Sequence, residues 1–196
     1  PRRPAAERAA LERLAAWALR FSDQVSLDSA PPRPRALVLE ARRSLSLFGG
    51  PEALHRQVAE GVAALGWRAR CVLAPTPAGA LLLAAAGLDG LIPDHDALRR
   101  AVAPLSPALL GLDRRSLDDL TGMGVKCIGD LLRLPRGGLA ERLGLERVQQ
   151  LERLLGERAD PRRPFVPPQR FSAELELPAE VPDAGALVFA SRRLLD

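Results

Sequence analysis

The sequence is poor in several residue types that carry chemistry. Among its 196 residues there are two histidines, two cysteines and no tyrosine. This shortage limits acid–base catalysis and the stacking of bases on aromatic rings. Cys71 and Cys127 each lie in an apolar run, which excludes a disulfide framework or a zinc cage and indicates a reducing compartment. The longest apolar stretch, around residues 78–86, is too short to span a bilayer, and no signal peptide opens the chain. We therefore expect a cytoplasmic protein.

Arginine is abundant instead. The chain has 28 basic and 24 acidic residues, a net charge of +4, and Lys126 is its one lysine. The excess of arginine accompanies abundant alanine, glycine, proline and leucine, which indicates a biased coding composition rather than a nucleic-acid-binding protein. Residues 105–196 are neutral, with 14 basic and 14 acidic residues, whereas a dedicated DNA-binding domain is more basic. Any contact with DNA is expected to be local and weak.

Hydrophobic periodicity predicts alternating helices and strands in residues 1–104. The predicted elements are helix 5–21, strands 25–27 and 36–40, helix 51–65, strand 67–73 and helix 76–86. Their order is that of a ferredoxin-like module without its first strand. We expect the three strands to share one sheet, with the two long helices on a single face. Because a missing strand leaves an open edge, we expect the chain to be a fragment or another segment to fill the gap.

Pro104 and Pro107 mark a boundary, after which short helices follow closely. The predicted helices are 116–121, 128–134, 139–143 and 145–158. They predict a small all-α unit over 105–159, followed by a stiff, proline-rich linker over 160–170. Residues 171–196 begin a further α+β unit with a strand at 171–177 and a helix at 184–195, which cannot fold alone. We expect this last unit to be truncated.

The spacing of Gly122, Gly124 and Lys126 between two short helices is typical of a helix-hairpin-helix. In that motif, backbone amides of the turn hold a phosphate without reading the base sequence. The same glycines also fit a helix C-cap followed by a tight turn. These three residues are the predicted DNA-binding site, and both interpretations stay open on spacing alone.

Other short motifs favour structural roles. Gly49-Gly50-Pro51 predicts a plain turn, because no Walker lysine or Gly-x-Gly-x-x-Gly pattern accompanies it. Asp94-His95-Asp96 is better suited to capping a helix that starts near Ala97 than to holding a metal ion, since no further ligands lie nearby. Asp118 and Asp119 are adjacent on a helix and therefore point in different directions. No metal site is predicted.

Four segments, in chain order, resemble Y-family translesion DNA polymerases. They read RFSDQV (20–25), LEARRSLSLFGG (39–50), LAPT (73–76) and MGVKCIGDL (123–131). The resemblance implies a palm over 1–104 that includes the end of a fingers helix, a helix-hairpin-helix thumb over 105–159 and the start of a little finger over 171–196. It covers nearly the whole chain, and the order of the four segments makes it specific.

The resemblance also implies that catalytic residues are lost. Active members bind two metal ions through a carboxylate on the first palm strand and an Asp-Glu pair. That pair maps to Arg35 and Ala36, which cannot bind magnesium, while Glu40 matches a later acidic position. Active members have two lysines in the segment that follows LAPT, and these map to Pro77 and Leu81. The lysine that binds the triphosphate is the second, so it is replaced by Leu81. No catalytic residue, metal or cofactor is therefore expected.

The first hairpin of the thumb is weakened too. Its usual Gly-x-Gly is reduced to Gly111-Leu112-Asp113. The whole pattern resembles the catalytically inactive ImuB branch, which implies a protein–protein hub in SOS-induced mutagenesis and DNA damage tolerance, associated with the nucleoid. The partners it implies are a RecA-like accessory protein (ImuA), an error-prone DnaE-type polymerase and the sliding clamp, the last two through segments outside this chain.

Helix 145–158 is the expected contact for the RecA-like partner. Its apolar stripe consists of Leu145, Val148, Leu151 and Leu155. Gln149 and Arg153 are the predicted partner-binding residues. The stripe equally fits packing inside the thumb.

Two alternatives to the inactive hub are disfavoured by the sequence. An active translesion polymerase whose first strand is not covered is disfavoured by Arg35, Ala36 and Leu81. An unrelated α/β module with a helix-hairpin-helix is disfavoured by the ordered motifs.

Overall fold

The computed structural model describes residues 4–28 and 36–167 and divides the chain into two compact units, 1–165 and 166–196. The predicted strand 171–177 and helix 184–195 lie outside the described residues. The elements given below belong to the first unit.

Helices and short strands alternate in the first hundred residues, which confirms the α+β class and the predicted order of elements. The elements are α1 (Pro4–Ala18), β1 (Val25–Asp28), β2 (Ala36–Leu39), α2 (Pro51–Ala64), β3 (Val72–Leu73), α3 (Pro77–Ala85), β4 (Gly90–Leu91) and α4 (His95–Val102). Local sequence sets the helix starts. Pro51 and Pro77 occupy first-turn positions, where a backbone N–H is not needed. Asp94 accepts a hydrogen bond from the Ala97 amide at 2.7 Å, so its predicted capping role is confirmed.

The remaining helices follow a short 3₁₀ turn at Pro107–Leu110. They are α5 (Arg114–Gly122), α6 (Ile128–Arg133), α7 (Arg136–Leu143) and α8 (Leu145–Leu155). All four helices expected here are present, with ends shifted by up to three residues. Asp113 caps α5 by accepting a hydrogen bond from the Ser116 amide at 2.7 Å. This bond, together with one from the Ser116 side chain, lowers the pKa of Asp113 below its ordinary value.

The strands form two separate pairs rather than one sheet. β1 and β2 are antiparallel, with Asp28 opposite Ala36, whereas β3 runs parallel to β4. The expectation that three strands share one sheet is therefore wrong. The strand expected over 67–73 is also shorter than predicted and covers only Val72–Leu73. Alternating side chains favour an extended backbone, but a strand also needs a hydrogen-bonded partner, and β4 pairs with these two residues alone. The strand β4 has only two residues, too few for a hydrophobic periodicity that would predict it.

β2 and β3 lie on opposite sides of an apolar gap. Both strands line a cavity of about 390 Å³, which α1 and α2 also border. A second cavity of about 720 Å³ is lined by the same two strands and by charged residues that include Glu40, Arg42 and Glu52. Within the described residues, the backbone groups of Leu37 and Leu39 that face away from β1 have no hydrogen-bond partner. The open edge expected from the sequence is thus the gap-facing edge of β2.

One hydrophobic core joins the first part of the chain to the helical part. Its buried members on α3 and α4 include Leu82, Leu83 and Leu98, and they pack in the same cluster as Ile128 of α6 and Leu151 of α8. The chain passes residue 104 without a break in this core. A second, smaller cluster lies between α1 and β1.

Candidate functional site

The end of the β1–β2 hairpin is the place to which the lost acidic pair maps. Arg35 lies outside the described residues, and Ala36 is half-buried as the first residue of β2. Its cross-strand neighbour is Asp28, whose Oδ1 lies 3.5 Å from Nη1 of Arg162. In the described ranges, no group of three or more His, Cys, Asp or Glu side chains is placed to hold a metal ion.

The position mapped to the triphosphate lysine is apolar and enclosed. Leu81 is 6% exposed and lines the first cavity from α3. Pro77 lies at the start of the same helix. Glu40 borders the second cavity, where one carboxylate oxygen accepts a hydrogen bond from the Arg42 amide at 3.0 Å. Its other oxygen is buried without a partner among the described residues.

The hairpin between α5 and α6 contains the predicted DNA-binding residues Gly122, Gly124 and Lys126, all exposed. Gly124 has a φ of 80°, a left-handed conformation that favours glycine. The backbone amides of the turn donate their hydrogen bonds to acceptors within the protein. Those of Gly124 and Val125 donate to carbonyls of α5, and that of Lys126 donates to Asp130 Oδ2 at 3.0 Å. The side chain of Lys126 is thus the group of this turn that remains available to a phosphate.

The backbone N–H groups at the start of α6 also donate to acceptors within the protein. The amides of Ile128 and Gly129 donate to the carbonyls of Leu105 and Ala103, each at 2.8 Å. The amide and thiol of Cys127 both donate to Asp130 at 3.2 Å. Sequence spacing could not reveal this use of donors, because the carbonyls come from a segment more than twenty residues earlier.

Asp130 is held in its charged form by these bonds. The hydrogen bond from the Lys126 amide, followed by that from the Cys127 side chain, lowers the pKa of the Asp130 carboxyl. A negative charge near the N-terminus of α6 is also stabilised by the helix dipole. The Asp130 carboxylate therefore occupies the hydrogen-bond donors that a bound phosphate would use in this hairpin.

The cysteine at the start of β3 is not an activated nucleophile. The Cys71 amide donates to Asp89 Oδ2 at 3.0 Å, and its carbonyl lies 2.8 Å from Nε2 of His55. Burial, and then the charge of Asp89, raises the pKa of the Cys71 thiol. A thiol with a raised pKa stays protonated and reacts slowly.

The apolar stripe of α8 packs inside the protein. Val148, Leu151 and Leu155 are at most 7% exposed, whereas Leu145 is 63% exposed. This confirms the internal-packing interpretation for three of the four stripe residues. The predicted partner-binding residues Gln149 and Arg153 are half-buried on the same helix, and their side chains make no hydrogen bond or ion pair with other described residues.

Sequence reasoning missed the charged cluster that the linker forms. Arg162 binds Asp160 at 2.8 Å and Asp28, which is 134 residues away, at 3.5 Å. The close Asp160–Arg162 spacing is the local hint, but a pair two residues apart is common in loops. The linker therefore contacts the β1–β2 hairpin through Arg162 and Phe165.

The fold and the sequence were compared with those of known proteins. No family model matches the chain. In fold, it is similar to DinB from Sulfolobus solfataricus, with a TM-score of 0.65 and 16% identity over 84% of this chain and 49% of that one. In sequence, it is 35% identical over 167 residues to the protein ImuB of Caulobacter vibrioides, in strains NA1000 / CB15N and ATCC 19089 / CIP 103742 / CB 15.

These two comparisons confirm the resemblance deduced from the four segments. In fold, the chain is similar to the Y-family polymerase DinB. In sequence, it is similar to ImuB over 84% of its length. The chain spans 36%, about a third, of the length of the curated relatives it matches. None of the helices in the described part of the chain is long and apolar enough to cross a membrane.

Proposed function

We propose that this chain belongs to a non-catalytic Y-family polymerase homologue that acts as a protein–protein hub in SOS-induced mutagenesis and DNA damage tolerance. The observation that carries the proposal is the pair of apolar side chains at mapped catalytic positions. Ala36 offers a methyl group at the hairpin end, and Leu81 is buried where a lysine would have to reach a triphosphate. Neither residue can hold a metal ion or neutralise a phosphate.

Primer extension tests the absence of catalysis. The unmodified protein should add no nucleotide to a primed template in magnesium or manganese, while the DinB polymerase from Sulfolobus solfataricus serves as a positive control. Restoring the acidic pair with Arg35→Asp and Ala36→Glu should not produce activity, because Leu81 still blocks the triphosphate position. Template-directed synthesis by the unmodified chain would instead support the alternative function, an active translesion polymerase.

The proposed partners are the RecA-like accessory protein ImuA, through this chain, and a DnaE-type polymerase and the sliding clamp, through segments outside it. The half-buried residues Gln149 and Arg153 of α8 support the contact with the RecA-like protein. The side chains of Gln149 and Arg153 form no hydrogen bond or ion pair within the described structure, so their polar groups are available, whereas three of the four stripe residues beside them are buried.

Charge substitutions on α8 test this surface. Gln149→Glu and Arg153→Glu should each weaken binding of the RecA-like protein severalfold, measured by calorimetry. Arg142→Glu is the matched control, since Arg142 is exposed on the neighbouring α7. Unaltered affinity in both α8 variants would show that this helix is not the interface, without bearing on the absence of polymerase activity.

A further inference from the structure

We propose that the start of the linker, residues 160–165, is a strap clamped onto the outer edge of β1, with Arg162 as the clamping residue. The main-chain attachment is at Phe165, whose amide donates a hydrogen bond to the Val25 carbonyl at 2.6 Å. The Phe165 side chain is half-buried and packs against the cluster that contains Ala15 and Ala18 of α1. The strap thus adds both a hydrogen bond and an aromatic ring to the hairpin.

Arg162 supplies the side-chain attachment. Its Nη2 and Nε donate to Asp160 Oδ2 at 2.8 and 3.2 Å, and Nη1 lies 3.5 Å from Asp28 Oδ1. The side chains are 24% exposed for Arg162, 15% for Asp28 and 14% for Asp160. A planar guanidinium can join two carboxylates at once, which a lysine ammonium does less well. One Asp28 oxygen is buried without a partner in the described ranges, so loss of Arg162 would leave a largely buried charge uncompensated.

The backbone of the strap favours the docked state. Pro161 and Pro164 fix φ at their positions, which reduces the entropy lost when the segment is ordered. The strap also pairs an outward carbonyl of β1, which would otherwise be an open strand edge. The chain consequently leaves the hairpin from a fixed point, at the boundary that follows Phe165.

Amide hydrogen exchange in the full chain tests the clamp. Arg162→Gln should speed exchange of the Phe165 amide by about tenfold, as expected for the loss of a coupled charge cluster. Arg163→Gln is the matched control, because Arg163 is the exposed neighbour and carries the same charge. It should leave the Phe165 amide at the wild-type rate. Equal rates in the two variants would overturn the proposal.

Further variants separate the clamp from general destabilisation. Asp28→Asn should also speed exchange at Phe165, and the double variant with Arg162→Gln should add little, whereas full additivity would contradict a direct pair. Exchange at Leu82 in the main core should not change. If Arg162→Gln unfolds the protein, Arg162→Lys replaces it, and a wild-type rate at Phe165 in that variant would overturn the proposal. The readout involves neither polymerase activity nor a partner protein, so the proposal stands or falls separately from the proposed function.

Discussion

Asp130 does in this hairpin what an external phosphate was expected to do. Its carboxylate accepts hydrogen bonds from the Lys126 amide, the Cys127 amide and the Cys127 thiol, at 3.0 to 3.2 Å. An anion at the start of a helix satisfies donors that the helix itself cannot use. A single side chain therefore stabilises the turn and at the same time removes backbone donors from any nucleic-acid contact.

Asp130→Asn should lower the melting temperature at neutral pH, because the amide keeps the shape of the side chain but not its charge. The pKa of Asp130 is lowered in the folded state. Its stabilising effect is therefore present above the unfolded-state pKa and is lost as the pH falls through the lowered folded value. The difference between wild type and variant should shrink below the ordinary carboxyl pKa of 3.8.

Thermal unfolding at several pH values measures this effect. Asp118→Asn is the control, since that carboxylate is 73% exposed and lies 3.9 Å from Arg114. The control should melt like the wild type. A pH-independent loss of stability in Asp130→Asn would show that the loss of a hydrogen-bond acceptor, rather than the loss of charge, destabilises the turn.

Lys126→Ala tests the remaining DNA contact at the hairpin. If the exposed ammonium pairs with a phosphate, the slope of log affinity against log salt should fall by about one. Binding of single- and double-stranded oligonucleotides over a salt series provides the measurement, and affinity should be weak and independent of sequence. An unchanged slope would leave the turn with a structural role alone.

The packing of α1 on α2 depends on one small residue. A Cβ added to Gly61 would overlap the ring of Trp17. Trp17 also contacts the ring of Phe21, with centroids 5.1 Å apart. The glycine therefore lets a large aromatic side chain lie directly on the backbone of α2.

Gly61→Ala should cost about 1–3 kcal/mol, the usual range for overpacking a well-packed contact. Gly138→Ala is the matched control, because an added Cβ there meets no atom within 4 Å, and alanine is the better helix former. Chemical denaturation of both variants gives the two values. A stability in Gly61→Ala equal to that of wild type would mean that Trp17 can shift freely.

Local signals predicted the helices well and the sheet poorly. Pro51, Asp94 and the glycines Gly66 and Gly87, which follow α2 and α3, are start and stop signals that act over a few residues, so these helix ends could be predicted directly. The alternation of residues 67–73 predicted extended backbone, but pairing depends on a distant strand. For that reason the prediction was right about the conformation near Val72 and wrong about the sheet.

The same limit applies to the site. Ala36 and Leu81 could be located by motif position, because the surrounding segments keep their order. The pairing of Arg162 with Asp28 joins residues that are 134 positions apart, and no periodicity links them. The occupation of the hairpin amides by Asp130 was also invisible, although the residue itself was part of the quoted motif.

At the scale of the whole molecule, Thr76 connects the two halves of the first unit. Its hydroxyl donates to the Leu154 carbonyl of α8 at 2.8 Å and accepts from the Gly79 amide of α3 at 3.0 Å. The residue is 5% exposed. Because α3 and α8 also share one core, we expect the first unit to unfold in a single transition.

Thr76→Val should lower stability by about 1–3 kcal/mol, since it removes a helix cap and leaves a buried carbonyl without its donor. Thr121→Val is the control, because the exposed Thr121 hydroxyl donates a hydrogen bond within its own helix, to the Leu117 carbonyl. Calorimetry of both variants measures the effect. Separate melting of two parts in Thr76→Val, with an unchanged midpoint for one of them, would contradict a shared core.

The positions of the two tryptophans give the molecule two independent optical reporters. With no tyrosine in the sequence, near-ultraviolet emission comes almost entirely from Trp17 and Trp67. Trp17 lies against Gly61 with the Arg20 guanidinium 5.8 Å above its ring, so its emission responds to loosening of α1 from α2. Trp67 is 44% exposed at the start of the run of residues without regular secondary structure that precedes β3, so a water-soluble quencher reaches it first. Any segment that covers this run should shield Trp67 from the quencher and leave the Trp17 signal unchanged.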